Sequence, residues 1–277
     1  MSSELKLIFF GDITGRLGRN AVKSYLVSES ADMVIANIEN ASHGFGLTKK
    51  NYLDLSECID CFTSGNHIWD KKDIYEYIEE ADNLVRPINY PTGTPGKGSA
   101  VFDINGHKIA VINALGRVFM PPIDSPWKIV VDEIERLKSE GVESIFIDFH
   151  AEATAEKICF SKYLAKEYGS LVKGFFGTHT HVQTADESII NGMAYITDAG
   201  FCGAADSVIG MEFETSLKRL STSLPERYEI AQGTLAQING VEVLFDRNHA
   251  THIKRINLYV DSKYESGVPI ECSRDKG

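Results

Sequence analysis

Long apolar runs are missing from this sequence. No stretch approaches the roughly 18 consecutive apolar residues of a membrane-spanning helix, although 43% of the 277 residues are hydrophobic. The first residues, MSSELKLIFFGD, lack the charged segment and the small-residue cleavage site of a secretory signal peptide. We therefore expect a cytoplasmic protein without membrane association, whose apolar residues form a sizeable core.

Cysteines and basic segments are also scarce. Five cysteines with irregular spacing favour reduced thiols in a cytosol over a disulfide framework. Cys58 and Cys61 form a C-x-x-C pair, but no second pair completes a zinc site, so packing at a helix end is favoured over metal binding. The net charge is −11 and no basic stripe is visible, which argues against the wrapping of a long nucleic acid.

Two common catalytic motifs have no clear counterpart here. The G-x-S-x-G elbow that carries a nucleophilic serine does not occur. The stretch GTPGKGS (93–99) superficially suggests a phosphate-binding loop. It lacks the Walker spacing, however, and Pro95 removes an amide donor, so a loop near the mouth of a site is the favoured interpretation.

Short β-rich runs alternate with helix-like segments along most of the chain. We predict strands at 5–12, 33–40, 61–67, 144–150, 171–181 and 193–200. We predict helices at 18–29, 70–80, 127–140 and from Thr154 onward, with Thr154 as the N-cap. The pattern favours one α/β domain over residues 1–277, in which two mixed sheets are faced by helices.

Two Asn-Gly dipeptides suggest β-hairpins. Asn105-Gly106 separates the β-like runs AVFDI and HKIAVINAL, and this dipeptide is a strong turn signal. Asn239-Gly240 similarly separates YEIAQGTLAQI from VEVLF. We therefore predict two hairpin turns, the second of them in a group of antiparallel strands that also includes 253–260.

Side chains that can bind metals recur where the apolar strands end. They are Asp12, Glu39 with Asn40, Asn66 with His67, His150, and His179 with His181. Ligands of open α/β sheets bind at the carboxyl ends of the strands. The recurrence at five strand ends therefore predicts a single polar site.

The spacing of His179 and His181 suggests a shared target. Residues i and i+2 of an extended strand project from the same face, so a strand through GTHTH would aim both imidazoles one way. Paired metal ions in hydrolytic sites lie about 3.5–4 Å apart, and each imidazole could take one ion. Gly177 would let the backbone approach closely. The simpler alternative is a pair of solvent-facing histidines on an edge strand.

The other candidates also have structural alternatives. Asp12 could be a turn or N-cap residue. A buried carboxylate such as Glu39 is rare unless it is paired or binds a metal, and a bridge between two cations would explain it. His150 could be a core histidine, with Asp148 or Glu152 orienting it.

Adjacent residues of a strand diverge, so Asn66 and His67 would have different roles. At the turn after the strand, Asn66 could supply an amide oxygen to a metal while His67 faces the substrate as a general acid. The structural alternative is an ordinary Gly-Asn β-turn.

Together these clusters resemble the calcineurin-like metallophosphoesterase superfamily, and most of all its YmdB-type branch. The matching stretches are GDITGR, NIEN, SGNHIWD, DFHAEAT, GTHTHVQTADE and ITDAGFCG, which fall between Leu5 and about Met211. The resemblance implies a four-layer α/β/β/α sandwich with two mixed sheets.

Several positions bear on the choice of branch. Thr14 stands where the superfamily usually has a histidine, and Glu39 with Asn40 stands where aspartate is common; YmdB-like proteins share both features. Ile38 and His43 stand where that branch would have glycines. His43 is open to two interpretations, a contact in the substrate loop or a plain surface histidine.

The resemblance implies two divalent metal ions. One would be held by Asp12, Glu39, Asn40 and His181. The other would be held by Glu39, Asn66, His150 and His179, so that Glu39 bridges the pair. The donors are nitrogen and oxygen without thiolate, which allows Fe, Mn or Zn. Asp186 and Asp198 are candidates for orienting the imidazoles.

The implied activity is hydrolysis of small phosphodiesters, with 2′,3′-cyclic nucleotides as the expected substrates. A hydroxide bridging the metals would attack phosphorus, and His67 would protonate the leaving alkoxide. The metals would attract phosphate in spite of the acidic net charge. A two-metal amidohydrolase or peptidase, and a metal-dependent regulatory or scaffold protein with weak residual phosphohydrolase activity, are the alternatives. The sequence does not decide whether the chain forms a homo-oligomer.

Overall fold

A computed structural model describes residues 4–261 of the chain. The strands in this part are β1 (Leu5–Phe10), β2 (Asp12–Ile13), β3 (Met33–Asn37), β4 (Cys61–Thr63), β5 (Ser99–Ile104), β6 (His107–Leu115), β7 (Ser144–His150), β8 (Val172–Thr178), β9 (Ser188–Ile190), β10 (Met193–Ile196), β11 (Phe201–Ala204), β12 (Leu235–Phe245) and β13 (Ala250–Asp261). The α-helices are α1 (Gly15–Ser28), α2 (Lys49–Leu55), α3 (Pro126–Ser139), α4 (Thr154–Tyr168) and α5 (Phe213–Thr222).

The strands form two mixed sheets. The first has the order β2-β11-β12-β1-β3-β4, with β13 paired to β12. The second has the order β5-β6-β7-β8-β10-β9. Parallel pairs make up the middle of the second sheet and the β1-β3-β4 part of the first, while most of the remaining pairs are antiparallel. The two mixed sheets confirm the prediction.

Alternation along β1 shows how the layers are stacked. Leu7 and Phe9 belong to the core between the two sheets, and the Phe9 and Phe176 rings lie 4.8 Å apart there. Ile8 and Phe10 point the other way, into the core under α1 and α2. The second sheet has its own outer core under α3 and α4. Both faces of the strand are buried, which explains its continuous apolar run, and the α/β/β/α sandwich is confirmed.

The two predicted hairpin turns have different outcomes. Asn105 and Gly106 both adopt positive φ (55° and 76°) and join β5 to β6, as predicted. The turn at Asn239-Gly240 is wrong, because β12 runs straight through these residues. A Cβ atom at Gly240 would lie 2.3 Å from the Phe9 carbonyl oxygen. This glycine therefore allows close packing against β1 rather than a chain reversal.

The helix predictions also need corrections. Residues 70–80 contain only a short 3₁₀ helix, Lys72–Glu76, among turns. Thr154 is the first residue of α4, and Ala153 is the N-cap. Helices α2 and α5 were not predicted. Tertiary packing overrides weak local propensity in such short segments.

The remaining composition-based expectations concern cysteines and membranes. Cys58 lies just after α2 with its Sγ 3.6 Å from the Leu55 carbonyl oxygen, and Cys61 is buried in β4. Cys58 therefore packs at a helix end as predicted, whereas Cys61 packs into the core between the sheets from a strand. Among the helices of residues 4–261, none combines the length and apolar character needed to cross a membrane.

Candidate metal centre

The two sheets bring the carboxyl ends of their parallel strands to one edge of the sandwich. The first sheet contributes Asp12 in β2, the pair Glu39 and Asn40 just after β3, and the turn after β4. From the second come the last residue of β7 and the loop after β8. All the predicted site residues are gathered there: Asp12, Glu39, Asn40, Asn66, His67, His150, His179 and His181. Their convergence follows from the sheet topology.

Glu39, His150 and His179 form one group whose ligand atoms all lie within 4.8 Å of one another. The Nε2 atom of His150 is 3.0 Å from Glu39 Oε1 and 3.0 Å from Nδ1 of His179. Two nitrogens bound to one zinc ion at 2.0–2.1 Å would stand about 3.3 Å apart in a tetrahedral site. The spacing of these two imidazoles therefore suits a shared cation.

Asp12, Asn40 and His181 form a second group beside the first. His181 Nε2 lies 3.7 Å from Asp12 Oδ1. The amide nitrogen of Asn40 is 3.1 Å from His181 Nε2, 3.4 Å from Asp12 Oδ1 and 3.3 Å from Glu39 Oε1. The amide thus stands among three acceptors. Such a set of acceptors around one point also suits a cation.

The route by which His179 and His181 reach the site differs from the prediction. Strand β8 ends at Thr178, and both histidines have positive φ, 100° and 65°. They therefore lie on a strained loop rather than an extended strand, and the argument from i and i+2 on one face is wrong. They converge because the loop turns. Residues with such φ values are costly, and other contacts must hold them.

Buried polar contacts hold this loop. Asp198 Oδ2 accepts hydrogen bonds from the backbone N–H (3.1 Å) and the hydroxyl (2.7 Å) of Thr180, the residue between the two histidines. Lys157 Nζ is 2.8 Å from Asp198 Oδ2 and donates to the Thr178 carbonyl at 2.8 Å. The backbone N–H of His179 donates to Asp12 Oδ2 at 3.2 Å. Asp198 thus fixes the chain that carries the imidazoles rather than touching them.

His150 is oriented by a chain of hydrogen bonds behind it. Thr178 donates its hydroxyl proton to Asp148 Oδ1 at 2.6 Å, and so it accepts from Nδ1 of His150 at 2.9 Å. Asn37 donates to the other oxygen of Asp148 at 2.8 Å. With one proton held on Nδ1, the Nε2 atom of His150 faces Glu39 and His179. Asp148 was expected to orient His150, and it does so through Thr178.

The other two imidazoles are oriented by simpler contacts. Nε2 of His179 lies 3.2 Å from Glu152 Oε2, which leaves Nδ1 facing His150. Nδ1 of His181 donates to the carbonyl oxygen of Ile209 at 2.9 Å, which leaves Nε2 facing Asp12. Each ring therefore turns one nitrogen toward the centre, as metal-binding histidines do.

Protonated imidazoles balance the negative charge of the buried carboxylates at this site. Burial alone would raise the pKa of Asp12 and Glu39, but the neighbouring imidazoles of His181 and His150 hold both below their usual range. Burial likewise opposes charge on His150, yet the Glu39 and Asp12 carboxylates raise its pKa to about 9. Burial and the adjacent His150 lower the pKa of His179 to about 4. Positive charge is therefore favoured between the carboxylates.

Three observations indicate that the site fits metal ions better than protonated side chains. Asn66 Oδ1 is buried and has no hydrogen-bond partner within the described chain, although buried acceptors are normally satisfied. A Cβ atom at Gly65 would lie 2.3 Å from Glu39 Oε2 and 2.5 Å from His150 Nε2, so glycine keeps the centre open. The donors are carboxylate, amide and imidazole, a mixture that binds Fe, Mn or Zn.

His67 lies beside this centre rather than in it. Its backbone N–H donates to Glu39 Oε2 at 2.9 Å, while its side chain is 31% exposed. Nδ1 is 2.9 Å from Asp70 Oδ2, and the ring packs against Phe45 with centroids 4.9 Å apart. The imidazole is thus oriented and accessible, which suits a group that donates a proton to a ligand.

A pocket of about 400 Å³ opens above the centre. We call it the catalytic pocket. One side is polar and includes Glu39, Asn40, His67, Glu152, His179 and His181. The other side is apolar and comes from the 208–211 loop, α5 and the segment after it, with Val208, Ile209, Met211, Leu220 and Tyr228. The volume falls within the roughly 300–1,000 Å³ of small-molecule sites.

Several site features had no signal in the sequence. Lys157 lies in the first turn of α4, Asn37 and Thr178 look like ordinary strand residues, and the apolar wall comes from segments of no clear motif. His43 is exposed with φ of 58° and does not line the catalytic pocket. Asp186 bonds to Thr184 and Thr197 instead of an imidazole. A Cβ atom at Gly177 would lie 1.8 Å from the Thr197 carbonyl oxygen, so this glycine does allow a close backbone approach.

This chain has the fold of the metallophosphoesterases, a class of proteins with two stacked mixed sheets. Within that class, the family described as "YmdB-like protein" matches residues 8–256. The chain belongs to the YmdB-like family.

Individual relatives agree with the family assignment. The chain is 43% identical over 268 residues to a Bacillus subtilis (strain 168) protein named 2′,3′-cyclic-nucleotide 2′-phosphodiesterase, covering 94% of this chain and 99% of that protein. It is similar in structure to a novel phosphatase from Mycoplasma pneumoniae, with a TM-score of 0.86, 35% identity and coverage of 94% and 95%. A hypothetical protein from Thermus thermophilus gives a TM-score of 0.85, 34% identity and coverage of 92% and 99%.

Proposed function

We propose that this chain is a metal-dependent phosphodiesterase that hydrolyses small phosphodiesters, with 2′,3′-cyclic nucleotides as its substrates. The observation that carries the proposal is the convergence of two carboxylates, two amides and three inward-facing imidazoles beneath the catalytic pocket. The name of the B. subtilis relative supports the cyclic-nucleotide substrate. We further propose that residues 1–277 act as one domain.

The two groups of side chains divide the proposed ligands between two ions. Asp12, Glu39, Asn40 and His181 would hold one, and Glu39, Asn66, His150 and His179 would hold the other. Asn40 would bind through Oδ1, which a half-turn of its amide would bring into the present place of Nδ2. When bound, two divalent ions supply a hydroxide nucleophile near neutral pH and offset charge on the phosphate.

The protein's own residues then have separate tasks. Glu152, Thr178 and the Ile209 carbonyl keep the imidazole lone pairs directed inward. Asp70 accepts from Nδ1 of His67, so Nε2 is left to carry the proton that passes to the leaving sugar oxygen. Proton donation of this kind contributes on the order of 10²–10⁴-fold to the rate.

The shape of the catalytic pocket supports a nucleotide over a phosphate ester that has no nucleobase or sugar. Its apolar side, with Ile209, Met211, Leu220 and Tyr228, offers contacts to a nucleobase or ribose while the phosphate lies over the polar side. The guanidinium of Arg219 lies 4.7 Å from the centroid of the Tyr228 ring and holds that ring in place. A planar, partly apolar group on the substrate would use this wall.

The deciding experiment is an assay of metal-loaded protein on three substrates: 2′,3′-cyclic AMP, bis-p-nitrophenyl phosphate and a p-nitroanilide. We expect hydrolysis of the first two, with loss of activity on chelation and recovery with Mn²⁺, Fe²⁺ or Zn²⁺. His150→Ala should abolish it. His249→Ala, a change in the exposed turn between β12 and β13, should not, because this turn lies near the start of β8 rather than its carboxyl end. Anilide cleavage alone would indicate an amidohydrolase. Negligible turnover of every ester, with tight binding of a protein partner, would indicate a regulatory scaffold.

A further inference from the structure

A second cavity, of about 290 Å³, lies beside the start of α1 and outside the catalytic pocket. Its polar lining includes Arg16, Arg19, His43 and Gln232, with Ile230 among the apolar residues. We call it the arginine pocket. None of its lining residues also lines the catalytic pocket. It is therefore a separate feature that the proposed chemistry leaves unused.

A thin wall separates the two pockets. A Cβ atom at Gly44 would lie 3.2 Å from Met211 Cε and 3.8 Å from Ile230 Cδ1. Met211 faces the catalytic pocket, and Ile230 faces the arginine pocket. The two cavities therefore lie on either side of these side chains and of the loop that carries Gly44. The two pockets are close enough that a change of charge in one pocket should alter the other.

The charges in the arginine pocket are unbalanced. No acidic residue of the described chain lines it, in a protein whose net charge is −11. The Arg16 side chain is exposed and forms no hydrogen bond or ion pair within residues 4–261. Arg19 donates Nη1 to the Ala41 carbonyl oxygen, which leaves its other N–H groups available. Asp54 attracts Arg19, but Asp54 is already paired with Lys23 at 2.7 Å.

The two guanidiniums also act on each other. Burial lowers the pKa of Arg19, and the positive charge of Arg16 lowers it further. Two cations held near each other are unfavourable unless an anion lies between them. Guanidinium groups bind phosphate and carboxylate through paired N–H donors, so an oxyanion fits this arrangement.

The start of α1 adds to the same preference. Thr14 is the N-cap but makes no capping hydrogen bond with its side chain, and the first turn contains no acidic residue. The N-terminus of a helix carries a partial positive charge that favours anions. The helix end reinforces the arginine pair, which is the primary feature.

We propose that the arginine pocket binds a phosphate-sized oxyanion at a site distinct from the metal centre. The ligand is either a second phosphate on a substrate that extends from the catalytic pocket over Met211 and Ile230, or a free phosphate ion. Arg16 and Arg19 would bind it through their guanidinium N–H groups, and His43 would contribute a third donor. In both cases the bound anion would neutralise the arginine pair behind the wall of the catalytic pocket.

The direct test is NMR of the zinc-loaded protein carrying ¹⁵N-labelled arginine, titrated with inorganic phosphate. We expect saturable shifts of the Nε–H signals of Arg16 and Arg19 that chloride at equal ionic strength does not reproduce. Arg16→Glu should remove the shift of Arg19. Lys50→Glu, which makes the same charge change at another exposed site, should keep it. Shifts that chloride reproduces, or that survive in Arg16→Glu, overturn the proposal. Both outcomes are readable whether or not the protein hydrolyses any ester.

Kinetics separate the two sources of the anion. If the anion is part of the substrate, Arg16→Glu should raise KM about tenfold for 2′,3′-cyclic AMP that carries a 5′-phosphate, and leave KM for 2′,3′-cyclic AMP unchanged. If the anion is a free ion, both substrates should keep similar KM values while the NMR shifts with phosphate persist. The kinetic part alone rests on the proposed function.

Discussion

Lys157 and Asp198 form an ion pair 2.8 Å long in which each side chain is only 1% exposed. The pair lies behind the loop that carries His179 and His181, because Asp198 also holds Thr180. A buried charge is tolerated only when it is paired and hydrogen-bonded. The pair therefore links α4 and the segment after β10 to the backbone of the candidate metal centre.

Removal of the lysine should destabilise the whole protein. Lys157→Met leaves the Asp198 carboxylate buried without its cation, and breaking such a pair costs about 3–5 kcal/mol. Urea unfolding of the metal-free protein measures the loss. Lys166→Met, an exposed change on the same helix, should stay within about 0.5 kcal/mol of wild type. Equal stability of the two variants would show that the pair does not support the loop.

Asn66 should affect metal binding and stability in opposite directions. Its Oδ1 atom is buried without a partner in the described chain, so Asn66→Ala removes an unsatisfied group and should leave the metal-free protein as stable as wild type or more so. The same change should lower metal content, because the proposed ligand is lost. Thermal unfolding without metal and elemental analysis after metal loading measure the two effects.

Asn89 provides the matched control for Asn66. It is also an asparagine whose side-chain oxygen is buried, but it donates to the carbonyl oxygens of Leu115 and Asp124 and accepts from the Leu115 N–H. Asn89→Ala should therefore destabilise the protein by about 1–3 kcal/mol and leave metal content unchanged. If Asn66→Ala behaved in the same way, Asn66 would be a structural residue rather than a ligand.

His67 should matter for turnover and not for metal content. The contact with Glu39 comes from the backbone N–H of His67, so His67→Ala preserves it. We expect two metal ions per chain in the variant and a kcat lower by about 10²–10⁴-fold on substrates with poor leaving groups. A p-nitrophenolate leaving group needs less protonation, so the loss should be smaller there. A collapse of metal content would instead make His67 a ligand.

Metal affinity should rise with pH through the neutral range. Although burial opposes it, the charges of Glu39 and Asp12 raise the pKa of His150 to about 9. Below that pH a cation must displace this proton, whereas above it the imidazole is already neutral. The apparent association constant should therefore increase by up to roughly tenfold per pH unit for this one proton between about pH 6 and 9, then level off. Calorimetric titrations in buffers of different ionisation enthalpy count the proton released; an absence of release would contradict the assignment of His150.

Much of the site could be predicted because the sequence places its polar residues at strand ends. Apolar strands such as 5–10 and 144–150 end in side chains of a few metal-binding types, and parallel strands bring those ends to one edge. The positions of Asp12, Glu39 and His150 follow from that regularity.

The details that were missed depend on contacts between distant segments. The extended geometry predicted for His179 and His181 fails because Asp198, 18 residues after Thr180, holds the loop in a left-handed conformation. The turn predicted at Asn239-Gly240 fails because Gly240 lies against Phe9 of another strand. Local patterns carry no information about such partners.

Residue order alone was enough to identify which side chains could bind metal, the apolar runs that form strands, and the family to which the chain belongs. These depend on residue type and short-range periodicity, which are written in the order of the residues. The packing of the folded chain was needed to show which nitrogen of each imidazole faces the centre, that Lys157 supports the histidine loop, and that Arg16 and Arg19 share a pocket. These depend on how segments distant in the chain pack against one another, and in the buried metal centre each polar atom also needs a specific partner.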